Sequence, residues 1–192
     1  MKNILLFIMI PFLLCGSVAW SSLEIKSIEG TDLLKAENLK IESKNKKGLV
    51  VIFLSARCPC SHSHISEIKK LFTDYPDFSF VAIHSNADEN KEEAKPYFEK
   101  MNLPFSVIQD EKTHWADTLK AYKTPHAFIF KADGSIAYQG GVSSSRNCEK
   151  ADRLYLREAL EDLQAHKTVR TPEGRTLGCS IARGEQNEKN DK

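Results

Sequence analysis

Hydrophobic residues fall along this chain in short blocks whose spacing changes from one block to the next. Leu49-Val-Val-Ile-Phe-Leu54 is a continuous apolar run rich in β-branched side chains, the pattern of a strand buried on both faces. Behind it Ile65, Ile68, Leu71 and Phe72 recur at helical spacing, which predicts a helix over about 61–74. Phe78–His84 reads as a second strand. Asp88 is a candidate helix cap, after which Ala94, Tyr97, Phe98 and Met101 follow the i, i+3, i+4, i+7 rule. Pro96 sits inside that helix and is expected to kink it. Phe105–Gln109 reads as a short strand and His114–Tyr122 as a short helix. His126–Phe130 and Ile136–Gln139 are the arms of a β-hairpin turned at Ala132-Asp-Gly-Ser135. The last helix spans about 150–165, with Leu156, Ala159, Leu160 and Leu163 on one face.

This order, β-α-β-α-β-α-β-β-α, predicts an α/β domain with a mixed sheet: parallel strands first, then an antiparallel hairpin closing one side. Right-handed crossovers put the C-terminal end of the strand at 49–55 on the ligand-facing edge of that sheet. The domain is expected over 49–165. Residues 20–48, polar with scattered aliphatics, read as an N-terminal extension. Residues 166–192 read as a tail, ordered to about 183 because of the apolar Leu177 and Ile181, then disordered where apolar residues run out.

The first residues have a different character. Lys2, the apolar run Ile4–Leu14 and the small residues Ser17-Val18-Ala19 read as a secretory signal peptide over 1–19, too short for a comfortable membrane span. An exported protein, periplasmic or else secreted, with no stable membrane span after cleavage is the expectation. Charge adds an exclusion: 27 basic residues balance 26 acidic ones, and no basic face stands out, so nucleic acid is not an expected partner. Five cysteines occur, of which Cys15 would leave with the signal peptide. Cys58, Cys60, Cys148 and Cys179 remain, a set that permits disulfides in an exported chain without fixing their connectivity.

Chemistry concentrates in Phe53-Leu-Ser-Ala-Arg-Cys58-Pro-Cys60-Ser61-His-Ser-His64. A strand that ends in cysteine at a helix start sets a thiol over unpaired backbone N–H groups and the positive end of the helix dipole. That environment favours the thiolate, which is both a nucleophile and a soft-metal ligand. Arg57 beside it either adds positive field or is solvated.

Three motifs carry a family resemblance over about Leu49–Leu163: Val51-Ile-Phe-Leu-Ser-Ala-Arg-Cys58-Pro, Tyr122-Lys-Thr-Pro125-His-Ala-Phe-Ile-Phe, and Asp133-Gly-Ser-Ile-Ala-Tyr-Gln-Gly140. Together they resemble the thioredoxin-like superfamily in its redoxin branch, the alkyl hydroperoxide reductase/thiol-specific antioxidant group. The segment 89–109 is similar to the α-β insertion that separates redoxins from minimal thioredoxin. Gly178-Cys179-Ser-Ile181 resembles the tail of an exported bacterial redoxin-like subgroup. The resemblance implies a thioredoxin-like fold, a reactive cysteine at position 58, and a cis-proline loop at Thr124-Pro125 packed against it. It implies a thiol oxidoreductase, acting on protein or small-molecule disulfides or on peroxide, with a reducing dithiol as partner and no resident cofactor. Two departures stand out. Ser61 occupies the place of the second cysteine of a Cys-x-x-Cys pair, and Val51 and Ser55 stand where the peroxiredoxin pattern has proline and threonine.

The thiol that resolves a Cys58 adduct is therefore open between Cys60 and Cys179. On a helix beginning at Cys58, Cys60 would point roughly 200° away, which favours Cys179, with Gly178 allowing close backbone approach. Cys148 is either half of a structural disulfide or another resolving thiol. A metal chaperone is the rival reading. Cys60 and His64 share a helix face at i, i+4, and His126 follows Pro125. With Cys58 these would suit copper or a similar soft-to-borderline ion. The plainer reading makes His62 and His64 solvated helix positions, His126 a packing residue, His84 a strand-end polar residue and Glu89–Lys95 a solvated face. A binding module that keeps the fold without catalysis is the third reading.

Overall fold

The computed structural model describes residues 24–43 and 45–184; the segment read as a signal peptide and the end of the tail after 184 lie outside the described residues. Among the described residues nine strands and four α-helices follow in chain order: β1 (Ser27–Asp32), β2 (Asn38–Glu42), β3 (Gly48–Phe53), α1 (Pro59–Asp74), β4 (Phe78–His84), α2 (Lys91–Met101), β5 (Val107–Gln109), α3 (His114–Thr118), β6 (Lys123–Thr124), β7 (His126–Lys131), β8 (Ile136–Gly140), α4 (Tyr155–Gln164) and β9 (Cys179–Ser180). Seven strands form one sheet in the order β2-β1-β5-β4-β3-β7-β8, and β6 pairs with β9 in a separate ladder. The β3–β4 and β4–β5 pairs are parallel, whereas β7 runs antiparallel to β3 and turns back into β8.

β3 is central because both of its faces are covered. Val50, Ile52 and Leu54 pack with Ile65, Ile68 and Leu71 of α1, Phe98 of α2 and Leu156 and Leu160 of α4. Leu49, Val51 and Phe53 face the other way, toward Phe128, Phe130, Ala116, Leu119 and the tail residue Ile181. A strand so enclosed has no room for polar alternation, which is why its sequence is an unbroken apolar run. Leu54 continues the ladder by one bond to Ile83, and the chain then leaves the sheet toward α1.

Several boundaries differ from the sequence expectation, each for a local reason. Residues 20–48 are not a mere extension: β1 and β2 form one edge of the sheet, with Ile28 fully buried and β1 hydrogen-bonded to β5. Asn90, not Asp88, caps α2, its side chain accepting the Glu93 N–H at 2.9 Å. α2 runs through Pro96 from Lys91 to Met101. α4 starts at Tyr155 rather than 150, because a 3-10 turn at Cys148–Lys150 and four irregular residues precede it.

The tail is docked. Thr124 pairs with Cys179 and Lys123 with Ser180. The Ile181 N–H bonds to the Tyr122 carbonyl at 2.9 Å, and Ala87 N–H to that of Ala182 at 3.1 Å. Arg183 holds Asp117 at 2.7 Å and the Ala121 carbonyl at 2.7 Å. Gly178 permits this approach, since a Cβ there would overlap the Thr124 carbonyl oxygen. Gly178→Ala is thus expected to free the tail while the sheet stays folded. Hydrogen exchange at the Ile181 amide should quicken on the order of tenfold or more, with β3 amides still protected. Unchanged exchange at Ile181 would show that the close approach is not what holds the tail.

Candidate active site

Cys58 is the N-cap of α1, in extended backbone (φ −84°, ψ 112°), with Pro59 as the first helical residue. Proline suits that position because its missing N–H would have no intrahelical partner. The Cys58 sulfur accepts the Ser61 N–H at 3.4 Å, taking the place that a serine or aspartate side chain commonly fills at a helix start. As a thiol it donates to the Thr124 carbonyl at 3.2 Å. The Thr124–Pro125 peptide is cis, as the resemblance implied.

Three sulfurs converge here. Sγ of Cys58, Cys60 and Cys179 lie within 4.8 Å of one another, and all four cysteines of the described residues are free thiols. The expectation that Cys60 turns away fails because Cys58 is not helical. The 100° step per residue begins only after the cap, so both sulfurs stay on the tail side of the helix start. Cys148, half-buried on the 3-10 turn before α4, is outside this cluster.

Burial raises the Cys58 thiol, but hydrogen bonds from the Cys179 and Thr124 side chains and the Ser61 N–H outweigh it and bring the pKa down to about 7. Cys179 moves the opposite way, to about 12, through burial and the neighbouring Cys58. Cys60 is also raised, by burial and then by the Cys58 charge. The three thiols are thus unequal: one ionises near neutrality and the other two hold their protons. The Thr124 hydroxyl is a buried group with no partner while Cys58 is a thiol. Ionisation supplies the missing acceptor.

The loop carrying Cys58 is pinned by a buried carboxylate that the sequence pattern hid among surface charges. Glu89 is 4 % exposed, not solvated. It accepts from the Ser55 hydroxyl at 2.5 Å, the Ala56 N–H at 2.8 Å and His84 Nε2 at 3.0 Å. Burial raises its pKa, yet these bonds prevail and leave it lowered. His84, read as strand punctuation, is fully buried and bridges onward to Gln109 at 3.0 Å. The Arg57 guanidinium is engaged by Glu93 and the Asp88 carbonyl. Tyr97, read as a helix-face apolar position, keeps a buried hydroxyl with no partner. Its pKa is raised to about 12 by burial and by the charges of Cys58 and Glu89.

The histidines do not join the sulfurs. His64 is buried rather than solvated, and both ring nitrogens are engaged, with the Cys60 carbonyl and the Ser143 hydroxyl, each at 2.7 Å. It ties α1 to the 143–147 loop. His126 stacks on Phe128 with centroids 4.5 Å apart, and burial lowers its pKa to about 4. It borders a different hollow, with Lys120, Gln139 and Glu173. His62 remains on the surface near Tyr97. The mixed thiolate–imidazole set expected for copper is therefore not assembled; three thiols are.

A parallel–antiparallel sheet with a helix capped by cysteine opposite a cis-proline loop defines a thioredoxin-like protein. The chain matches the redoxin family over residues 25–155 and belongs to that family. Among solved structures it is similar to an uncharacterized conserved protein from Geobacillus kaustophilus, at 26% identity and TM-score 0.74 over 85% of this chain and 93% of that one. A hypothetical protein from Sinorhizobium meliloti 1021 is 22% identical, with TM-score 0.75 over 85% and 94%. A putative thiol:disulfide interchange protein DsbE from Chlorobium tepidum shares the fold at 16% identity and TM-score 0.58, over 76% and 95%. No curated protein matches the chain.

Removing only the Thr124 hydroxyl tests the electrostatics. In Thr124→Val the thiolate loses one donor, so the Cys58 pKa is expected to rise by about one unit. The pH dependence of Cys58 alkylation by iodoacetamide reads this directly. A midpoint unmoved from that of the unsubstituted protein would exclude the hydroxyl as a donor.

Proposed function

We propose that the protein is a thiol oxidoreductase in which Cys58 attacks a disulfide or a peroxide and Cys179 resolves the product. The convergence of three sulfurs within 4.8 Å, one of them on a helix cap, carries this reading. With a disulfide substrate, the Cys58 thiolate bonds to one sulfur and the other leaves as a thiolate. Cys179 then attacks Cys58 Sγ, releases the second substrate thiolate and leaves a Cys58–Cys179 disulfide. Two electrons pass to the substrate, and the two protein thiols surrender their protons to the departing thiolates. With a peroxide the Cys58 thiolate takes one oxygen as the O–O bond breaks and an alcohol or water leaves, giving a Cys58 sulfenic acid that Cys179 converts to the same disulfide with loss of water. An external dithiol returns the protein to its reduced form. The leader-like residues 1–19 support work outside the cytoplasm, where such thiol exchange is common.

Cys58→Ser is expected to reduce both insulin reduction and peroxide consumption to background while the protein stays folded. Undiminished turnover of either substrate would remove Cys58 from the mechanism.

A second reading is favoured by the same cluster: the reduced protein holds a soft monovalent ion such as Cu(I) on three thiolates, with no histidine. Reduced protein titrated with Cu(I) against a competing chelator should bind one ion per chain. Cys179→Ser should weaken that binding steeply, and His64→Ala should not. Equal affinity in Cys179→Ser would rule the site out.

A further inference from the structure

Three thiols are one more than a disulfide needs, and their exposure is unequal. Cys58 is 2 % exposed beneath the docked tail. Cys60, at 8 %, and Cys179, half-buried, line an open hollow of about 440 Å³ with Pro59, Ser63, Arg146 and Asn147. Cys58 does not border that hollow among the described residues. A volume of this order admits a small thiol or the cysteine-bearing loop of a partner. A dithiol arriving from outside therefore meets Cys60 and Cys179 before it can meet Cys58.

We infer that the protein is a three-thiol relay: a Cys58–Cys179 disulfide formed beneath the tail is passed to a Cys60–Cys179 disulfide at the mouth of the hollow, where an external dithiol reduces it. The inference rests on Cys58 being the attacking thiol, as proposed above. In the exchange the Cys60 thiolate attacks Cys179 Sγ, the Cys58–Cys179 bond breaks, and Cys58 leaves as a thiolate. The proton shed by Cys60 is the one Cys58 can take up or leave in solution. No net electrons move, and no added oxidant is required.

The direction of exchange follows from the leaving group. With Cys179 held in the disulfide its hydrogen bond to Cys58 is gone, but the Ser61 N–H and the Thr124 hydroxyl still favour the Cys58 thiolate as leaving group, and the disulfide comes to rest between Cys60 and Cys179. Burial raises Cys60, while the Arg146 cation lining the same hollow draws it back, which helps it to attack. Once released, Cys58 is again a thiolate held by Ser61 N–H and ready for a second substrate. The relay thus separates two encounters: substrate chemistry at the buried sulfur and re-reduction at the hollow.

The test uses the full chain. Reduced protein receives one equivalent of hydrogen peroxide or oxidised glutathione, is quenched and alkylated at intervals, and its cysteine peptides are mapped by mass. A Cys58–Cys179 link is expected first, giving way to Cys60–Cys179 with Cys58 alkylated. In Cys60→Ser the Cys58–Cys179 link should persist, and its reduction by dithiothreitol should be slower by about tenfold or more; Cys60→Ala should behave alike. A wild-type protein that ends with Cys58–Cys179 and a free Cys60, or a Cys60→Ser protein re-reduced at the wild-type rate, overturns the relay alone. Absence of any Cys58 disulfide at every interval overturns the functional reading from which it starts.

Discussion

One backbone pairing organises the site: Thr124 against Cys179, between the strand before the cis-proline and the two-residue strand of the tail. It draws a residue distant in sequence to the cap of α1 and completes the sulfur cluster. It also roofs Cys58, which without the tail would look outward from the sheet edge. The pairing is possible because Gly178 has no side chain where the Thr124 carbonyl passes. Ile181 then anchors the segment in the apolar layer beneath β3, and Arg183 fastens it to α3 and the following loop. Docking, burial and sulfur convergence are one structural event.

Electrostatically the site resolves a conflict between burial and ionisation. Taking a thiolate out of water is costly, and both Cys60 and Cys179 show that penalty. Cys58 escapes it because donors arrive from three elements: the first turn of α1, the cis-proline loop and the tail. Glu89 solves the same problem nearby, a buried carboxylate satisfied by a hydroxyl, a backbone N–H and an imidazole. Its bonds to Ser55 and Ala56 hold the exit from β3, so that Cys58 meets the helix start at a fixed angle. Arg57, the sequence neighbour of Cys58, is engaged instead by Glu93 and the Asp88 carbonyl.

How much was legible depends on whether a signal was local. β3, α1, β4 and the β7–β8 hairpin follow from runs of side chains that state their own environment, and the redoxin motifs mark the cysteine and the proline loop. β1 and β2 are harder to read: β1 offers one aliphatic, Ile28, in a polar run, and the polar–apolar alternation of Asn38–Glu42 spans only five residues. Cys60 was misjudged because the helical wheel assumes helical backbone at residue 58, whereas a cap is extended. Glu89 stands one residue before the cap of a charged helix, and nothing in Asp88-Glu-Asn-Lys separates the buried carboxylate from its solvated neighbours. His64 looked exposed on helical periodicity, yet the 143–147 loop, which arrives only in three dimensions, covers it. Two residues of strand at Cys179–Ser180 carry no periodicity at all.

The position of Cys179 has a further consequence, which concerns the denatured chain. A bond from residue 179 to residue 58 would close a loop over the four α-helices of the described residues and strands β4 to β8, leaving β1 to β3 outside it. Restricting so large a loop removes conformational entropy from the unfolded ensemble, an effect of roughly 4–5 kcal/mol in the chain-entropy account. In the proposed cycle each oxidation would fasten a clasp around the fold, and each reduction would open it. Under that proposal, thermal tolerance would track the redox state of the protein.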